Sequence, residues 1–268
     1  MIDPVVDFAT AATMDGVVFA DVRYYLDGRR GRDAYDRGHL PGAVFVDVDA
    51  DLADHDAPPA HGRHPLPDPG FFAARMASLG IADQDRVIAY DDSGGVMAAR
   101  LVWMLRATGH DAALLDGGLA AYPDDLSTDP PRRPPAHFTA RPWPAERLAS
   151  IDDADGGGFV VLDARQAERF RGETEPIDPR AGHIPGARNV PCRGNVDDDG
   201  RFLGREALRE RFAAAGVTDA GRVVSYCGSG VTACHNLIAM EHAGLGVGRL
   251  FPGSWSAYSH TDRPAATV

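Results

Sequence analysis

The sequence predicts an α/β protein of two tandem domains, each a parallel sheet flanked by helices. Three observations carry this expectation: one pattern occurs twice along the chain, short β-branched runs alternate with helical stretches in both copies, and a proline-rich segment separates them. At 268 residues the chain is near the upper limit for a single hydrophobic core, which suits two domains of ordinary size.

The repeat comes in two blocks. "DVRYYLDGRRGRDAYDRGHLPGAVFVDV" at 21–48 is answered by "DARQAERFRGETEPIDPRAGHIPGARNVPC" at 163–192. "DRVIAYDDSGGVMAARLVWMLRATGHDAALLDGGLAAY", ending at Tyr122, is answered by "GRVVSYCGSGVTACHNLIAMEHAGLGVGRLFPGSWSAY", ending at Tyr258. Asp91 and Cys227 are 136 positions apart, as are Tyr122 and Tyr258, so Asp91 aligns with Cys227. The spacing is 142 at Asp21 and Asp163 and 144 at Gly38 and Gly182, so the copies differ by loop insertions. The longest of these belongs to the first copy and reads "DHDAPPAHGRHPLP".

Taken in order, "VVFADV", "AVFVDV" and "RVIAY" in the first copy, and "FVVLDA", "ARNVPC" and "RVVSY" in the second, are short and mostly β-branched. Several are continuously apolar, as strands buried on both faces of a parallel sheet must be. "DPGFFAARMASLG", "VMAARLVWMLRATG" and "VTACHNLIAMEHAG" read as helices, each ending at a glycine that can take the left-handed conformation. Seven prolines between Pro123 and Pro144 read as an extended, semi-rigid connection. The expected domains are 1–124 and 144–268, joined by a linker at 125–143.

Composition narrows the function. A net charge of -12 argues against nucleic acid or an anionic membrane as a partner, because both require clustered Lys and Arg. The amino terminus carries Asp3, Asp7 and Asp15 where a secretory signal has basic residues, and no run approaches the length of a membrane span. Three cysteines form no disulfide framework. The expectation is a cytoplasmic monomer.

Cys227 follows the strand "RVVSY" and precedes a helix expected to begin near Val231, where ligands of open α/β sheets gather. Gly228 and Gly230 let successive N–H groups point inward as an anion-binding nest, supported by the helix dipole. Such a nest favours a thiolate, the nucleophilic form of cysteine. Cys234 shares a helix face with Leu237 and Ile238 and reads as core, His235 as a surface or capping residue, and Cys192 as inert. A phosphatase loop of the C-x5-R type requires arginine where Ala233 stands. A zinc site of Cys227, Cys234 and His235 lacks paired-cysteine spacing. Sulfur transfer fits better, because a persulfide is an anion that the nest can hold.

On the paired "GHLPGA" and "GHIPGA", on "RFRGETEPIDPRAGHIPGA", "CGSGVT" and "FPGSWSAY", the chain resembles the tandem-domain thiosulfate and 3-mercaptopyruvate sulfurtransferases of the rhodanese family over nearly its whole length. The resemblance implies two rhodanese-like domains, the first non-catalytic. It implies double displacement through a Cys227 persulfide, with no metal or organic cofactor, from a small-molecule sulfur donor to cyanide or a thiol acceptor. The active loop would be Cys227, Gly228, Ser229, Gly230, Val231 and Thr232. Arg169 and Arg180 would hold the donor's anionic end. A relay of Ser229, His64 and Asp49 would move a proton for a mercaptopyruvate-type donor. Because His39 and His183 occur in both copies, they read as structural. The uncharged Gly228 and Ser229 favour 3-mercaptopyruvate, while the rest of the pattern also resembles thiosulfate enzymes, so the donor stays open. A different class of function, a persulfide relay that acts only with a partner protein, is discriminated by whether free small donors load the chain.

Overall fold

The computed structural model describes all 268 residues, which divide by their contacts into two units. The first comprises 1–53, 67–143 and 196–202; the second comprises 54–66, 144–195 and 203–268. Three features depart from the expected boundaries. Segment 54–66 groups with the second unit, and 196–202 with the first. The expected linker 125–143 also belongs to the first unit. Its prolines keep it extended, but buried Phe138, the Thr139 hydroxyl on Asp83 and the Trp143 indole N–H on the Pro67 carbonyl tie it down.

The first unit holds a five-stranded sheet of β1 (Val5–Val6), β2 (Val17–Asp21), β3 (Val44–Phe45), β4 (Arg86–Tyr90) and β5 (Ala112–Leu115), in the order β1-β5-β4-β2-β3 and parallel throughout. Its helices are α1 (Phe8–Ala12), α2 (Gly31–Arg37), α3 (Val48–Leu52), α4 (Pro69–Ser78) and α5 (Ala99–Ala107). In the second unit β6 (Val160–Asp163), β7 (Arg188–Asn189), β8 (Val223–Tyr226) and β9 (Arg249–Leu250) form a parallel sheet in the order β7-β6-β8-β9. Leu148 pairs in parallel with Leu250 at the edge where the first unit has β1. The helices are α6 (Ile151–Ala154), α7 (Ala167–Arg171), α8 (Arg205–Ala214), α9 (Ala233–His242) and α10 (Ser254–Tyr258). The central strands β4 and β8 are buried almost throughout, as their continuous apolar runs require. No helix is long and apolar enough to cross a membrane.

The repeated residues build the same scaffold in each unit. Arg23 pairs with Asp21 and donates to the Gly38 carbonyl at 2.7 Å; Arg165 pairs with Asp163 and donates to the Gly182 carbonyl at 2.7 Å. The Tyr90 hydroxyl accepts the Leu40 N–H, and the Tyr226 hydroxyl accepts the Ile184 N–H. His39 stacks on Tyr35 and His183 on Phe170, each with a ring nitrogen on a backbone carbonyl of the preceding helix. Both histidines therefore lock turns, as their presence in both copies leads one to expect.

Candidate active site

Cys227 is the first residue after β8 and is buried within the second unit. Its N–H donates to the Ser254 hydroxyl at 3.1 Å, and its sulfur receives the Gly230 N–H at 3.2 Å. Ser254 holds a left-handed φ of 51°, which costs a non-glycine residue on the order of 1 kcal/mol. The equivalent residue of the first unit is Gly118, with φ 56°. The second unit thus accepts backbone strain that puts a hydroxyl on the Cys227 N–H.

Gly230 has φ 79°, and a Cβ there would stand 2.4 Å from the Pro252 carbonyl oxygen, so only glycine fits. Val231 is buried and Thr232 partly so. The helix α9 begins at Ala233, two residues later than expected, with Thr232 as its cap residue. Cys234 is buried and donates to the Gly230 carbonyl at 3.4 Å. His235 is fully buried rather than at the surface: Asn195, from the segment after β7, covers it with its amide 3.2 Å from the ring. Burial and the neighbouring Cys227 push the Cys192 thiol up to about 12, which keeps it protonated and inert.

The segment 54–66 brings two side chains to this loop. Its backbone presses onto α10: Gly62 has φ 94° and lies so close to the Gly253 carbonyl that a Cβ would sit 2.6 Å from its oxygen. The next N–H, of Arg63, donates to the Ser256 hydroxyl at 3.1 Å. His64 follows, with Nδ1 2.7 Å from the Ser229 hydroxyl, so two members of the expected relay meet. Asp49, the third, lies in α3 of the first unit, where its backbone N–H donates to Asp47.

Arg169 projects from α7 toward the loop. Its Nη2 donates to Glu175 at 2.6 Å and to Asp178 at 3.4 Å, and Arg63 Nη1 donates to the other Asp178 oxygen. Glu175 also receives Arg165 at 3.2 Å, which connects the scaffold pair to the site. Burial works against charge on Glu175, but the hydrogen bonds of Arg169 prevail and hold its carboxyl below the usual range. At Asp178 burial outweighs the arginines and pushes the carboxyl up. Arg180 is placed differently. Its Nε, Nη1 and Nη2 donate to the carbonyls of Ser259, Arg263 and Tyr258 at 2.9, 2.8 and 3.0 Å, which fastens the carboxyl-terminal segment.

Sequence reasoning missed Arg63, Glu175, Asp178 and Ser254. The signal for Arg63 was its place beside His64, and for the acids their place inside the quoted "RFRGETEPIDP".

The family model for the rhodanese-like domain matches twice, at residues 8–125 and 146–261. The chain is 42% identical over 258 residues to a probable 3-mercaptopyruvate sulfurtransferase of Pseudomonas aeruginosa, covering 92% of this chain and 91% of that one. It is 41% identical to a putative thiosulfate sulfurtransferase, SseB, of Mycobacterium tuberculosis, covering 93% of each. Among solved structures, the 3-mercaptopyruvate sulfurtransferase of Leishmania major superposes with a TM-score of 0.85 at 33% identity, covering 97% of this chain and 75% of that one.

Proposed function

The chain belongs to the rhodanese family, and on that premise we propose that it is a sulfurtransferase whose second unit carries the reaction at Cys227. One observation supports this most: the same loop occurs twice, filled in the first copy by the Asp91 carboxylate and in the second by the sulfur of Cys227.

The Cys227 thiolate attacks the outer sulfur of the donor. With thiosulfate the S–S bond breaks and its electron pair leaves on sulfite. With 3-mercaptopyruvate the C–S bond breaks and the pair leaves as the enolate of pyruvate, which takes up a proton. The persulfide's terminal sulfur is an anion, and the N–H groups of Ser229, Val231 and Ala233 correspond in position to those of Ser93, Gly95 and Met97, which hold Asp91. Cyanide or a thiolate then attacks that terminal sulfur, and Cys227 leaves as thiolate.

Arg169 binds the donor's anionic end, with Glu175 and Asp178 fixing its guanidinium. The Ser229–His64 pair supplies the proton for the enolate and has no such task when sulfite leaves. Arg180 enters as an anchor of the carboxyl-terminal segment rather than as a donor ligand. The absence of a long apolar helix and the three free cysteines support a cytoplasmic setting.

Intact-mass measurement after exposure to either donor is expected to show one added sulfur on the wild type and none on Cys227→Ser, with cyanide removing it as thiocyanate. A Cys227→Ser protein that still loads has a different nucleophile, and a wild type that loads only after a second protein is added acts as a relay. His64→Asn should lower kcat for mercaptopyruvate by about 10²-fold and thiosulfate turnover much less. Equal losses with both donors remove the proton role.

A further inference from the structure

Aligned by the spacings that relate the two copies, one corner of the fold changes charge between them. Arg75 of α4 and Arg211 of α8 are 136 positions apart, as Gly80 and Gly216 are, while Asp51 and Asn195 are 144 apart, the spacing of Gly38 and Gly182. In the first unit Arg75 closes on Asp51 at 2.6 Å. In the second, the position of that carboxylate holds Asn195, whose amide oxygen receives Arg211 Nε at 3.2 Å but brings no charge. Along the same turn Asp47 and Asp49 give way to Pro191 and Arg193, and Val44 of β3 gives way to Arg188 of β7. The first copy thus supplies its own counter-ion, whereas the second drops it and adds a guanidinium.

These changes surround one cavity. Arg188 and Arg211 line a space of about 490 Å³ at the open edge of the sheet, with Val190, Pro191, Ala214 and Ala215 as apolar walls and no acid among the lining residues. That volume suits a small molecule. Carbonyls rather than carboxylates hold both guanidinium groups: Arg188 Nη1 donates to Ala215, and Arg211 Nη2 donates to Pro191 at 2.8 Å. A Cβ on Gly216 would stand 1.7 Å from Arg188 Nη1, so the glycine makes room for that head group. Nε and Nη2 of Arg188, and Nη1 of Arg211, are left without a protein acceptor. Arg211 is half-buried, and burial pushes its guanidinium down with no carboxylate opposing.

We propose that this cavity is a second binding site, distinct from the Cys227 loop, for a small organic oxyanion: Arg188 and Arg211 hold its carboxylate or phosphate group, and Val190, Pro191, Ala214 and Ala215 carry its apolar body. A guanidinium takes either group through paired N–H donors, and an anion at this place supplies the charge that Asp51 supplies in the first unit. The site does not depend on which residue is the nucleophile.

The test is calorimetric titration of the wild type, R188Q, N195D and R169Q with phenyl phosphate, benzoate and inorganic phosphate at low ionic strength. The wild type should bind phenyl phosphate or benzoate with a Kd of about 1 mM or below, and inorganic phosphate about tenfold more weakly because it lacks the apolar body. Whichever of the two aromatic probes binds more tightly identifies the charged group as phosphate or carboxylate. R188Q alters an exposed side chain and should weaken that probe about tenfold, the scale of a lost charge-assisted hydrogen bond. N195D returns to this corner the acid that the first copy has at Asp51, so it should weaken the probe as much, with thermal unfolding showing that the chain still folds. R169Q should keep the site. The proposal is overturned if neither aromatic probe saturates by about 10 mM, if R169Q abolishes binding while R188Q and N195D retain it, or if inorganic phosphate binds as tightly as phenyl phosphate.

Discussion

The loops after β4 and β8 share one design and are filled differently. In the first unit the Asp91 carboxylate receives the N–H groups of Ser93 and Gly95 at 2.8 Å each, Met97 at 2.7 Å and Ala98 at 3.0 Å, at the amino end of α5. In the second, the Cys227 sulfur receives the Gly230 N–H at 3.2 Å, at the amino end of α9. The attraction for an anion is thus a property of the backbone in both copies. The first copy satisfies it with its own side chain and gains stability, while the second keeps it for sulfur. The turn residues follow the same division: Gly118 simply turns, whereas Ser254 turns at a cost and holds Cys227.

Breaking the two loops should therefore have opposite consequences. Asp91→Ala strands four N–H donors in a fully buried place and is expected to cost about 4 kcal/mol, while the loaded second unit still transfers sulfur. Cys227→Ser should abolish turnover and change stability by less than about 1 kcal/mol, since a hydroxyl can take the same N–H. Thermal unfolding of both variants beside the wild type checks this. Similar losses of stability in the two would mean that the loops are not divided between structure and chemistry.

A finer comparison uses the repeated Asp-x-Arg pairs. Arg23 and Arg165 are both buried, each tied to its aspartate and to a glycine carbonyl, so replacing either by methionine is expected to cost about 3 kcal/mol by leaving a buried carboxylate uncompensated. Only Arg165 goes on to Glu175, and through it to Arg169. R165M should therefore also lower kcat/KM about tenfold, chiefly through KM, whereas R23M should leave it within about threefold. If both variants lower kcat/KM alike, the acids do not transmit position to Arg169.

The parts legible in the sequence are those that depend on local order along the chain. The repeat placed Cys227 opposite Asp91, the apolar runs marked the central strands, and Gly228 and Gly230 announced the nest. What escaped depends on long-range packing. Arg63 lies 165 positions from Gly228 and reaches it only because Gly62 lets the backbone press onto α10. The proline-rich segment reads as an extended, semi-rigid linker in the sequence because its partners, Asp83 and Pro67, lie far back along the chain. Arg180 sits in the quoted "RFRGETEPIDPR", yet the carbonyls it serves belong to residues 258, 259 and 263, which no local pattern connects to it. His235 has a polar side chain near a helix start, and only the fold shows that Asn195 covers it.

The smallest expected effect comes from the third cysteine. By the spacing of 144 that relates Gly38 to Gly182, Cys192 occupies the place of Val48, and both are buried. The first copy thus shows that an apolar side chain of similar size fits this corner of the fold. With its thiol pushed up to about 12 by burial and by Cys227, Cys192 stays protonated below about pH 11 and gives a sulfur donor no thiolate to load. C192V is expected to change stability by less than about 1 kcal/mol and to leave sulfur loading and kcat/KM within about twofold. Mass spectrometry of peptides from the donor-treated wild type should find the added sulfur on the peptide of Cys227 alone. Sulfur on the Cys192 peptide, or a large loss of turnover in C192V, would show that the second copy put a working thiol where the first needed only a valine.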